Sequence, residues 1–266
     1  MPHLVALTES LLAQTYADLE LVFSEGGGSD GSMDYLKSVD DPRVRVIEQT
    51  GRPTAGENWT RATEAGSGEL IKLVCQDDLL APDAVQRQVE DLLAAPTAVM
   101  AVAQRDIVDA DGRQLYAKRG CAGLQPGLQS GASVIRACYL QGTNVIGEPL
   151  AVLFRREPLL SAMPWDDSNP LVLDLDCYER VAPAGDVFVR LESIGGFRVS
   201  TASWSTRLAK EQLARFREWQ ERYAARANPG LTPAQRRKGA RNARVQTALR
   251  RAAYGWLKLK GGFGSS

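Results

Sequence analysis

The stretch Leu70-Ile-Lys-Leu-Val-Cys-Gln-Asp-Asp-Leu-Leu80 carries the residue types best suited to chemistry. A short apolar run ends in two adjacent acids, Asp77 and Asp78, before an apolar pair leads to Pro82. Neighbouring carboxylates repel one another unless a cation or a donor-rich ligand lies between them. Mg2+ and Mn2+ take oxygen ligands of this kind and share them with phosphates. The plainer reading is an Asp-Asp turn capping a helix that starts near Pro82, since Asp is an ordinary turn and cap residue. The run itself reads as a buried strand of a parallel sheet, being short and almost wholly apolar. Ligands of open α/β sheets gather beyond the strand carboxyl ends, where this acid pair would stand.

Composition narrows the chemistry further. The chain has 266 residues, 44% of them hydrophobic and 24% charged, enough for a full core in one domain plus a tail. Its one histidine, His3, leaves proton transfer and metal ligation to carboxylates. Cys75, Cys121, Cys138 and Cys177 have no CxxC spacing, which argues for free thiols in a reducing cytoplasm and against a zinc site. No apolar run approaches the roughly 20 residues that span a bilayer, and no signal peptide is evident. Net charge is zero but unevenly spread. Residues 207–266 hold fifteen Lys/Arg against three Asp/Glu, so an acidic body of residues 1–206 carries a basic tail of +12.

The elements that would position these groups alternate. A helix at 4–15 is followed by strand 19–24, a glycine loop at 26–31, a short helix, strand 44–47, a helix at 57–65 and the central strand. That order predicts a mostly parallel sheet with helical crossovers. Further strands are expected at 98–103, 149–154, 187–193 and 196–200, a hairpin at Asp111-Gly112, and a helix at 171–182. Residues 117–145 give no clear signal. Two tail helices, to about 227 and over 234–260, flank a linker at 228–233.

Gly26-x-Gly28-x-x-Gly31 literally matches a dinucleotide fingerprint, with Glu48 ending the next strand about where a ribose-binding acid belongs. An NAD(P)-dependent oxidoreductase is therefore one reading. Against it, Glu25 would repel a pyrophosphate seated on the loop, and the following helix is short.

Several segments in order resemble another family. Ser10-Leu-Leu-Ala-Gln-Thr-Tyr-Ala-Asp-Leu-Glu-Leu-Val22, Ser24–Ser32, Asp41-Pro-Arg-Val-Arg-Val46, Gly56-Glu-Asn-Trp-Thr-Arg-Ala62, Gly68–Leu73 and Gln76-Asp-Asp78 are similar to the family 2 glycosyltransferases. So are Asn144–Arg155 and Asp174-Leu-Asp-Cys-Tyr-Glu-Arg180. The resemblance, over about residues 4–207, implies a GT-A-like (Rossmann-like) α/β fold and sugar transfer from a nucleotide sugar to a saccharide or lipid-linked hydroxyl. It implies inversion, and Mg2+ or Mn2+ as cofactor. Glu25, Asp30, Asn58, Asp77 and Asp78 fall on the donor side, with Asp78 as the metal ligand, Asp174 as catalytic base, and Glu148 and Arg180 on the acceptor side. Glu25, Gln76 and Leu173 depart from the family pattern. The resemblance also implies a first strand ahead of the helix at 4–15, inside which this chain begins; lacking it, the sheet would have an unpaired gap. A truncated, inactive relative serving as a membrane- or partner-binding module is the non-enzyme alternative.

The second tail helix places Val245, Leu249, Ala252, Trp256 and Leu259 on one side, among many arginines and lysines. It suits an anionic membrane surface at the inner face of the membrane, and equally a helix packed on the acidic body. Nucleic acid is not expected as a partner, because no nucleic-acid module accompanies the charge.

Overall fold

A computed structural model of the chain describes residues 2–49, 51–199, 210–226 and 230–259. The first half holds α1 (Pro2–Leu12), β1 (Leu21–Glu25), α2 (Ser32–Lys37), β2 (Val44–Glu48), α3 (Ala55–Ala65), β3 (Leu70–Ile71), β4 (Leu79–Leu80), α4 (Ala84–Ala94) and β5 (Ala98–Val108). Then come β6 (Gln114–Arg119), β7 (Gly127–Ser130), α5 (Gly131–Gln141), β8 (Val152–Arg155), α6 (Arg156–Ser161), α7 (Leu173–Val181), β9 (Asp186–Arg198), α8 (Gln212–Ala225) and α9 (Pro233–Leu259).

β5 is the axis of the main sheet. Ala98–Ala103 is buried on both faces, as a continuous apolar run in a helix-covered sheet must be. It runs parallel to β9 and antiparallel to β8, in the order β3-β8-β5-β9-β4, with β6 on β5 and β7 on β9. β1 and β2 pair in parallel as a separate sheet.

The α/β, helix-flanked architecture agrees with the sequence reading; the direction of its strands differs. Among the described residues only β1/β2 and β5/β9 are parallel. After β5 the chain reverses at the expected Asp111-Gly112 hairpin, Gly112 N–H donating to the Asp109 carbonyl, and that hairpin gives antiparallel pairing. Nor is 70–80 one parallel strand. Only its two ends join ladders, both antiparallel, and a turn from Cys75 to Asp78 breaks it. The two strands expected at 187–193 and 196–200 are, over the described residues, one strand, β9, residue 200 lying outside them, and the unreadable segment 117–145 contains β7 and α5.

The main core gathers Phe154, Trp165, Tyr178 and Trp219. α8 therefore belongs to that core, because Trp219 is fully buried and packs on Tyr139 and Tyr223. Its indole N–H donates to Glu179 at 2.8 Å. Trp219→Ala would leave a large cavity and strip a half-buried carboxylate of a donor. We expect a loss of about 3–5 kcal/mol, read by urea unfolding.

Candidate functional site

The Cys75–Asp78 turn sets the acid pair at the edge of the main sheet, where β4 meets Gly195-Gly196 of β9. Asp78 is 1% exposed. One of its oxygens, Oδ1, accepts from the Arg198 backbone N–H at 3.4 Å, and the other, Oδ2, is buried without a partner. Burial first, then the charges of Asp77 and Glu148, push its carboxyl well above the usual range. Burial also raises Asp77. Arg198 fixes the turn: its guanidinium donates to the carbonyls of Asp77 (2.9 Å), Asp109 (3.1 Å) and Ala110 (2.6 Å). Arg198 and His3 on α1 are close enough to Asp77 to offset part of its rise.

Asp174 lies in the first turn of α7, where the helix dipole favours an anion. Its Oδ1 accepts from the Leu175 N–H at 2.7 Å and its Oδ2 from the Asn144 amide at 2.9 Å. Asn144 is held in turn by the N–H groups of Ile146 and Gly147, at 3.0 and 3.1 Å. Burial, followed by the charge of Glu148, pushes Asp174 up to about 7. A base poised near neutral pH is what proton abstraction from a hydroxyl requires.

Glu148 and Arg105 form a short ion pair, 2.5 Å, between the two acid sites. Arg105 follows the apolar run of β5, so the central strand delivers a cation into the acid cluster. Gly120 and Gly147 make room for it. A Cβ on either would lie 2.5 or 3.1 Å from the guanidinium, and both backbones have positive φ. The thiol of Cys75 is pushed up by burial and by Asp78, Asp77, Asp174 and Glu148, which shows all four carboxylates converging. Beneath them, Lys72 Nζ donates to Gln88 (2.7 Å), Val152 O (3.3 Å) and Leu150 O, anchoring the strand that leads into the acid pair. Burial lowers Lys72 to about 7.

Glu148→Gln removes the like charge that helps hold Asp174 high. The acidic limb of a rate profile governed by Asp174, expected near pH 7, should therefore move to lower pH. Initial rates measured between pH 5 and 9 check this; an unmoved limb would deny the coupling.

The remaining candidates divide. Glu25 is tied to its own loop: its carboxylate accepts from the N–H groups of Gly27 and Gly28, at 2.7 and 2.9 Å. Those are the donors that a pyrophosphate would need, and α2 has only six residues, so the loop does not serve as a dinucleotide cradle. Glu48 instead pairs with Lys37 on the surface. Asp30 holds Ser32 at the start of α2, and Asn58 accepts from Gln49. Arg180 points away from Asp174. It donates to Asp176 at 3.1 Å and to the Ala162 carbonyl, because a residue six positions along α7 lies on another face. Sequence reasoning missed Arg105, Arg198 and Lys72 and gave Asn144 no role of its own. Arg105 alone had a local signal, as the first charge after the apolar run Ala98–Ala103.

A divalent cation fits this donor set. Asp78 offers a buried, unpartnered oxygen, and the converging carboxylates exceed the cations among them. No group of three His, Cys, Asp or Glu among the described residues could hold a metal ion by itself. The set matches a cation held by one or two carboxylates and completed by substrate phosphates.

The central sheet and its helical cover have the fold of the GT-A glycosyltransferases. Residues 2–160 match the family described as Glycosyl transferase family 2, and the chain belongs to that family. The chain is similar to TarS of S. aureus solved with UDP, at TM-score 0.64 and 11% identity over 91% of this chain and 67% of that one. It is also similar to the mannosyltransferase PcManGT of Pyrobaculum calidifontis with GDP-Man and Mn2+, at TM-score 0.55 and 16% identity, over 97% and 77%. ExoO, a succinoglycan biosynthesis protein of Rhizobium meliloti, is 32% identical over 112 residues, which is 42% of this chain and 32% of ExoO. The alignment thus spans about a third of that relative's length.

Proposed function

We propose that the chain transfers a glycosyl group from a nucleotide sugar to a hydroxyl of a saccharide or lipid-linked saccharide, with inversion and with Mg2+ or Mn2+. The observation that carries this reading is the pairing of two carboxylates in different states. Asp78 presents a bare oxygen, and Asp174, held by Asn144, is tuned to about 7. Both feel the same Glu148 and Arg105.

Asp174 accepts the acceptor hydroxyl proton as that oxygen bonds to the anomeric carbon and the bond from that carbon to the diphosphate oxygen breaks. One base on the far side of the sugar gives a single displacement. Asp78, assisted by Asp77, would hold the cation, which when bound neutralises the leaving diphosphate. Glu25 shapes the glycine loop toward the nucleoside, with Asp30 and Asn58 on the same side. Glu148, neutralised by Arg105, lines the acceptor side, while Arg180 braces α7 against the end of α6. The nucleotides in the TarS and PcManGT structures support a nucleoside diphosphate leaving group, and ExoO's role supports polysaccharide biosynthesis. Four free thiols suit a reducing cytoplasm.

Proton NMR of nucleotide-sugar turnover, with water standing in for the acceptor, tests the reading. An α-linked donor should yield the β-sugar first, in a metal-dependent reaction. Initial release of the α-sugar would reject inversion.

A further inference from the structure

α9 contains no acidic residue, and none follows Glu221 in the chain. Its inner side is made of small residues. Ala243 and Thr247 are buried, and Gly239 lies so close to α5 that a Cβ there would come within 2.8 Å of Tyr139. At the end of α5, Gly142 meets the α9 backbone in the same way, a Cβ falling 2.1 Å from the Ala243 nitrogen. Asn242 donates to the Leu140 carbonyl at 2.8 Å and Arg250 to the Thr143 hydroxyl at 2.9 Å. The helix is thus fixed to the body by backbone proximity and hydrogen bonds, and the side chains of Val245 and Leu249 are left out of the contact.

Those side chains face away. Val245 is 48% exposed and Leu249 60%, one turn apart on the helix. Ala248 and Ala252 are exposed beside them, and Lys238, Arg241 and Arg244 are exposed around them. Among the described residues no carboxylate pairs with these three cations. The helix thus packs on the body, one of the two roles open to it, but the body's carboxylates do not take up these three charges.

We propose that the outward face of α9 docks the chain on an anionic lipid surface. Cations ringing an apolar pair match such a surface on both counts: headgroup charge attracts Lys238, Arg241 and Arg244, while Val245 and Leu249 enter the headgroup–acyl boundary. A nucleic-acid backbone would use only the cations and leave the apolar pair idle. The helix lies on the bilayer and does not cross it, since no helix among the described residues is long and apolar enough to span. α9 grips Gly142 and Thr143, and the chain runs from there straight into Asn144–Glu148, the acceptor-side wall. A lipid-linked acceptor would be presented close to that wall, a consequence that rests on the proposed transfer reaction; the docking itself does not.

The test is co-sedimentation of the full chain with vesicles of equimolar phosphatidylglycerol and phosphatidylcholine, against phosphatidylcholine alone. It needs neither donor nor acceptor, so its failure is separate from failure of the enzymatic reading. We expect binding about tenfold or more tighter to the anionic vesicles, largely lost at roughly 0.5 M NaCl. The paired variants Arg241→Glu/Arg244→Glu and Val245→Ser/Leu249→Ser, with folding checked by circular dichroism, should each weaken it about fivefold or more. Equal binding to both vesicle types would overturn the proposal. So would anionic-vesicle binding unchanged in the apolar variant, most directly if a short DNA duplex competed the vesicles away.

Discussion

Asp174→Asn should lower the rate of sugar transfer by about 10²–10⁴-fold while leaving binding of the nucleoside diphosphate within a few-fold of the native chain. The amide keeps the shape of the side chain and can still accept from the Leu175 N–H, so the end of α7 stays in place. What it loses is the capacity to take a proton. The native carboxyl, raised to about 7, is the active base only when ionised, so the native rate rises with pH through that region and then levels. The variant's residual rate should lack this limb. Stability moves the other way. A carboxyl whose folded pKa exceeds its unfolded value costs folding free energy as pH rises from about 4 to about 7, and the full cost persists above that. The shift at Asp174 corresponds to on the order of 4 kcal/mol at most. Asp174→Asn should thus melt no lower than the native chain at pH 8, by differential scanning calorimetry. A variant both inactive and severely unfolded would assign Asp174 a structural role instead.

The second large effect is expected at Asp78. Asp78→Ala removes the bare Oδ2 and should abolish the metal-dependent part of nucleoside diphosphate binding, weakening it about tenfold or more in Mn2+ and little without metal. Burial and its neighbours Asp77 and Glu148 hold Asp78 well above the ordinary range, so its charge is an electrostatic burden on the fold that a bound cation relieves. Asp78→Asn should consequently raise thermal stability at neutral pH in metal-free buffer. It should also erase most of the stabilisation that Mn2+ and nucleotide confer together, which a thermal-shift series with each ligand alone and in combination would show. If Asp78 were only a turn residue, neither substitution would separate metal-dependent from metal-independent binding.

Much of this arrangement was legible in the chain, and the failures have physical causes. Asp77 and Asp78 stood out as adjacent carboxylates at the end of an apolar run, whereas Asp174 was singled out only by the family resemblance. Strand direction was harder to read. The apolar run at 70–74 looks like a parallel strand whether or not its backbone finds a partner, and here only Leu70 and Ile71 do on that side of the turn. Arg105, Arg198 and Asn144 reach the acids from distant positions in sequence, and spacing cannot announce a contact between Arg198 and Asp77 across 121 residues. Arg180 shows the reverse error. Its position in a motif suggested the site, but helix geometry turns it toward Asp176. On α9 the apolar stripe was visible, yet its direction followed from Gly239, Ala243 and Gly142, whose small size decides which face can approach α5.

The most direct test of the central claim is titration calorimetry of the full chain with UDP, GDP and dTDP, each with and without Mn2+, repeated on Asp78→Ala. The account predicts that one nucleotide binds in a metal-dependent manner and that the substitution removes this dependence. Metal-independent binding, or binding that Asp78→Ala leaves unchanged, would contradict the assignment of the acid pair and with it the proposed reaction.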